Sequence, residues 1–118
     1  MYDEEQQYDY SGKRDKSYCF DGVFEDQVGN DEIYMKTVQP LIGNIMDGFN
    51  VTCFAYGMTG AGKTHTMIGR GADDGEAAEN QELGLCFQSI NGIFEGIHAR
   101  HLDHSYDLRV SYLEIYNE

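Results

Sequence analysis

Phe54-Ala55-Tyr56-Gly57-Met58-Thr59-Gly60-Ala61-Gly62-Lys63-Thr64-His65-Thr66-Met67 is the stretch from which the fold is read. Positions 57–64 satisfy G-x-x-x-x-G-K-S/T. Upstream, Val51-Thr52-Cys53-Phe54-Ala55-Tyr56 is β-rich and nearly all apolar. That run predicts a strand buried on both faces, central in a parallel or mixed sheet. Downstream, a short helix is expected through about Ile68. A strand, a glycine turn and a helix in that order make an anion cradle. The glycines let successive N–H groups turn inward, and the helix start adds its positive end. Lys63 brings a point charge suited to β- and γ-phosphate oxygens, and Thr64 a hydroxyl suited to Mg²⁺. Gly57, Met58, Thr59, Gly60, Ala61, Gly62, Lys63 and Thr64 are therefore the candidate residues for a triphosphate.

Working outward, apolar positions at 33, 34, 38, 41, 42, 45, 46 and 49 have helical spacing with one buried stripe. Pro40 lies inside that helix, so a kink or break is expected near Gln39. Asn30 and Asp31 are expected to cap its start, and Gly48-Phe49-Asn50 to end it. Tyr18 to Phe24 predicts a short aromatic strand. Residues 69–82 carry five acids and three glycines and predict an exposed loop. Leu83 to Ala99 is helical in spacing, although Gly84, Gly92 and Gly96 each weaken it by about 1 kcal/mol relative to alanine. His101 to Ser105 reads as a turn, and the alternation from Tyr106 to Tyr116 as a strand. Residues 1–16 hold five acids, three bases and three tyrosines, and read as a flexible polar lead-in to a domain over 17–118.

The chain has 118 residues, with 21 Asp and Glu against eight Lys and Arg, a net charge of −13. That balance argues against nucleic-acid binding and against a basic membrane-surface patch. Apolar runs are too short to cross a bilayer, and the acidic start has no signal-peptide pattern. Cys19, Cys53 and Cys86 are odd in number and widely spaced, which suits reduced thiols buried as small apolar groups.

A phosphate cradle alone hydrolyses nothing, because a carboxylate and a water-positioning group are also needed. Asp9-Tyr10-Ser11-Gly12 and Asp26-Gln27-Val28-Gly29 fit D-x-x-G, but neither follows a buried strand, and both read as solvated turns. Glu114 is expected to be partly buried in a structural role. His98, His101 and His104 lack a completing ligand and read as a solvated helix end rather than a metal site. Tyr2, Tyr8 and Tyr10 suit a recognition or phosphorylation stretch, with plain disorder the default reading. No catalytic residue is assigned within the chain.

The run from Phe54 to Met67 closely resembles the phosphate loop of the kinesin motor domain, F-A-Y-G-Q-T-G-A/S-G-K-T-x-T-M. Ser111-Tyr112-Leu113-Glu114-Ile115-Tyr116-Asn117-Glu118 resembles its later S-Y-L/F-E-I-Y-N-E strand. Phe20-Asp21-Gly22-Val23-Phe24 resembles F-D-x-V-F. Tyr34 and Asp47-Gly48-Phe49-Asn50 resemble V-Y…G-Y/F-N. Met58 stands in place of the family's Gln, and Gly84-Leu85-Cys86-Phe87-Gln88 in place of G-I-I-P-R.

The resemblance implies an α/β P-loop NTPase of kinesin-motor type, present in part: a mixed central sheet flanked by helices, with several strands missing. It implies ATP and Mg²⁺ as cofactors, His65 near the adenine, and 69–82 as the variable loop that interrupts the phosphate-loop helix. It further implies a microtubule-based motor of the cytoplasm and cytoskeleton, with tubulin as partner and dimerisation through other regions. The family's R-x-R-P, N-x-x-S-S-R-S-H and D-L-A-G-S-E runs are not in the chain. Its sheet order also keeps the strands at 18–24, 51–56 and 106–116 apart, so their expected neighbours come from elsewhere. The alternatives are a truncated, catalytically incompetent nucleotide-binding module and a different P-loop NTPase or kinase.

Overall fold

Asn30, Tyr34, Val38 and Ile42 fall at steps of four, and all four are buried. Such steps keep side chains on one helical face. The computed structural model, which describes residues 17–70, 82–102 and 104–116, builds this face from two helices, α1 (Asn30–Thr37) and α2 (Gln39–Met46). The break between them lies where Pro40 requires it. Proline has no N–H for the carbonyl four residues back, and Leu41 N–H turns instead to Val38 O at 2.8 Å. Val38 keeps right-handed helical dihedrals, φ −101° and ψ −40°, so the buried stripe runs through the break.

The start of α1 differs from expectation. Gly29 is the N-cap residue and makes no side-chain cap bond, while Asn30 is already helical. The cap comes from far along the chain: Glu82 Oε1 accepts the Asn30 N–H at 2.7 Å. Asp31 and Glu32 stay in the first turn, where the helix dipole favours them.

Among the described residues two further helices follow. α3 (Lys63–Met67) follows the glycine turn, and α4 (Leu85–Ala99) packs across α1 and α2. Between them, β1 (Gly69–Arg70) and β2 (Glu82–Leu83) pair antiparallel, Gly69 with Leu83 and Arg70 with Glu82. The expected exposed loop is thus anchored at both ends, and its interior, 71–81, lies outside the described residues. α4 begins two residues later than its spacing suggests, because Leu83 is held in β2 and Gly84 donates its N–H to Ile68 O at 3.0 Å.

Two of the glycines that weakened the reading of α4 face its neighbours closely. A Cβ on Gly92 would run into the Tyr34 hydroxyl, and one on Gly96 would sit 3.1 Å from Met46 Cγ and Sδ. Close approach of the buried Tyr34 on α1 offsets the helix-propensity loss at Gly92, whereas the Met46 chain beside Gly96 is flexible. At the far end, Arg100 donates to Asp47 Oδ1 at 2.7 Å and ties the ends of α4 and α2 together. Among the described residues the buried apolar core is Tyr34, Val38, Ile42 and Leu85.

The central sheet is the main correction. Among the described residues the only sheet is β1–β2. Residues 18–24, 51–57 and 106–116 form no strand ladder. Phe54 is 79% and Tyr56 95% exposed, where burial on both faces was expected. A strand needs neighbours to accept its N–H groups, and these three segments do not supply them to one another. The same lack leaves Cys19 and Cys53 exposed and Cys86 only half-buried, against the buried thiols expected. Glu114 is likewise exposed. The lead-in with Tyr2, Tyr8, Tyr10 and Asp9 lies outside the described residues. Among those described, no helix is long and apolar enough to cross a membrane.

Candidate functional site

Glycine shapes the turn from 57 to 62. Gly60 (φ 83°) and Gly62 (φ 85°) are both left-handed, a conformation that costs other residues roughly 1–2 kcal/mol. Ala61 N–H closes the turn on Met58 O at 3.2 Å, and Thr66 N–H reaches back to Gly62 O at 2.9 Å. The N–H groups opening α3 have no carbonyl one turn earlier inside the helix, as at any helix start.

Lys63 folds back over this turn. Its ammonium donates to Gly57 O and to Met58 O, each at 2.8 Å. The cation is thereby parked at the mouth of the loop on neutral acceptors. A phosphate oxygen carries charge and is the stronger partner. Thr64 is exposed beside it, and the Met58 side chain, 80% exposed, takes no part in the turn. A lysine at the loop mouth, left-handed glycines and an exposed threonine hydroxyl fit a Mg²⁺-bound triphosphate in charge and in donor type.

His65 is held from two sides. Its carbonyl accepts from Asn30 Nδ2 at 3.0 Å, and its Nε2 lies 3.3 Å from Glu82 Oε2. Asn30 is 1% exposed. Sequence reasoning took Asn30 for a cap and gave Glu82 no role. Nothing local marks Glu82, which is one of five acids in 69–82; only the tertiary fold brings it to α1 and α3.

The remaining candidates stand apart. Asp26 and Gln27 lie in an exposed turn closed by Val28 N–H on Glu25 O at 3.0 Å. α4 ends at Ala99, so His98, His101 and His104 do not share one helical face. The His98 and His101 rings stack at 5.3 Å, and His104 stacks on Tyr106 at 6.0 Å. Among the described residues, no three His, Cys, Asp or Glu side chains are placed to hold a metal.

A glycine turn of this sequence and shape, opening a helix at Lys63, belongs to the P-loop class. The family model of the kinesin motor domain matches residues 2–118. The chain belongs to the kinesin motor-domain family. It is 44% identical over 105 residues to kinesin-like protein 5 of Schizosaccharomyces pombe, covering 89% of this chain and 11% of that protein. It is 41% identical over 105 residues to kinesin-like protein KIF19 of Homo sapiens, covering 89% and 10%. It is 46% identical over 103 residues to kinesin-like protein KIP2 of Eremothecium gossypii, covering 86% and 14%. The chain thus spans between 10% and 14% of the length of these relatives.

Proposed function

We propose that this chain supplies the phosphate-binding part of a kinesin-type, ATP-driven microtubule motor. The observation that carries the reading is the Lys63 ammonium, 2.8 Å from both Gly57 O and Met58 O at the mouth of a left-handed glycine turn. Gly57, Met58, Thr59, Gly60, Ala61, Gly62 and Lys63 hold the triphosphate of ATP, chiefly through backbone N–H groups and the ammonium. Thr64 offers its hydroxyl to Mg²⁺, which when bound neutralises phosphate charge. His65 lies on the base side. The motor works in the cytoplasm on microtubules and contacts tubulin through other parts of the protein, since a net charge of −13 suits an acidic track poorly.

The chain's share of the work is binding and orientation. It carries no D-L-A-G-S-E or S-S-R-S-H run to sense the γ-phosphate or position water. By itself it binds nucleotide without turnover, which keeps the incompetent-module reading in force for the isolated chain. The segments 18–24, 51–57 and 106–116 find their strand neighbours in the remainder of the motor domain. A different kinase-like P-loop enzyme would need a basic lid after α3, and Arg70 is the only base in 69–82.

The test is equilibrium titration of a fluorescent ATP analogue with Mg²⁺, on the wild type and on Lys63→Ala. Saturable binding that the alanine removes supports the reading. Binding that is indifferent to Lys63 overturns it.

A further inference from the structure

The junction of Asn30, His65 and Glu82 joins three elements that are remote in sequence. Glu82 Oε1 is fixed by the Asn30 N–H at 2.7 Å, which leaves Oε2 facing His65 Nε2 at 3.3 Å. Asn30 Nδ2 holds the His65 carbonyl at 3.0 Å. The imidazole and the backbone of His65 are thereby both anchored to the start of α1. α3 has no fully buried residue of its own, and this junction adds to its contacts with β1 and α4. Residues 63–65 are contiguous on α3, and whatever fixes His65 also limits where the base side of the phosphate loop lies.

We infer that Glu82 is a positioning residue for His65, presetting the base side of the nucleotide pocket through a carboxylate that Asn30 holds in place. The inference rests on the ATP-binding reading above. It concerns the nucleoside end of the ligand, whereas Lys63 and the glycine turn concern the phosphate end. Two ligands therefore separate them: Mg-ATP, which has both ends, and Mg-tripolyphosphate, which has only one.

The experiment measures the affinity of the full-length protein for both ligands by calorimetry, in wild type, E82A, H65A and the double variant. E82A is expected to weaken Mg-ATP about tenfold and Mg-tripolyphosphate less than about twofold. In the H65A background, E82A is expected to add no further loss, because its effect travels through the ring. An equal loss for both ligands, or an undiminished E82A effect in the H65A background, overturns the inference. E82Q repeats the comparison without disturbing shape. Its amide oxygen still accepts from Asn30, so an Mg-ATP loss of about threefold that vanishes in the H65A background supports the same conclusion, and one that persists overturns it. Failure of the ATP-binding reading is distinct: wild type would then bind neither ligand in a Lys63-dependent way.

Discussion

The Lys63 ammonium donates to the Gly57 carbonyl across 2.8 Å, so the loop is closed by the cation it would offer to a ligand. Opening the loop exchanges a neutral acceptor for a charged one. Lys63→Ala removes both the latch and the countercharge. The expected result is a loss of Mg-ATP affinity of at least about a hundredfold. Fluorescence titration checks it, and an affinity within about threefold of wild type contradicts it.

Gly92 and Gly96 lie one turn apart on α4 but should respond oppositely to alanine. At an unconstrained helix site the change gains about 1 kcal/mol. Gly92→Ala meets the hydroxyl of the buried Tyr34 ring, and a loss of about 1–3 kcal/mol is expected. Gly96→Ala meets a thioether chain that can turn aside, and is expected to be neutral or stabilising. Thermal midpoints of the complete motor domain decide between these signs.

Tyr34 also sets a pH limit. Burial raises the phenol above its ordinary value of 10.0, and the nearby Glu95 charge adds to the effect. Below the unfolded value the group is neutral in both states and contributes no pH dependence. Above it the unfolded chain ionises first, so stability falls as pH rises toward the folded value. Tyr34→Phe is expected to flatten that decline above about pH 10, where the unfolded phenol ionises. The check is the thermal midpoint of the motor domain across that range, and an unchanged slope contradicts it.

The isolated chain is expected to show no sharp cooperative melt. Among the described residues the buried apolar core is four side chains, while Tyr18, Phe20, Phe54, Tyr56, Val110 and Tyr112 are exposed. Backbone amides of 51–56 are expected to exchange with solvent without protection, and to become protected in the complete motor domain. Protection in the isolated chain, or a steep calorimetric transition, argues against this.

The helical half of the fold was legible because its signals are local. The four-residue spacing of Tyr34, Val38 and Ile42, the proline at 40 and the G-K-T run each act within one or two turns. The strands were legible as segments and not as a sheet. The composition of Val51 to Tyr56 states that it suits burial, but burial needs neighbours that these residues cannot specify. The turn that opens α3 was readable from its glycines and lysine. Glu82 was not, because its role depends on the Asn30 amide, fifty-two residues away. The glycines weakened the reading of α4 without overturning it, since propensity counts what a helix loses alone and not the close approach of Tyr34 to Gly92.

Val51 to Gly57 leads directly into the turn that Lys63 latches, and it has no ladder on either side among the described residues. A segment without a ladder has more than one backbone shape open to it. A ligand that accepts only one of them has its apparent dissociation constant divided by the fraction of molecules in that shape. Seating a strand beside 51–56 would raise ATP affinity without touching a phosphate. By reciprocity, ATP would tighten the strand's seat by the same factor, so assembly of the sheet and occupancy of the loop are two readings of a single equilibrium.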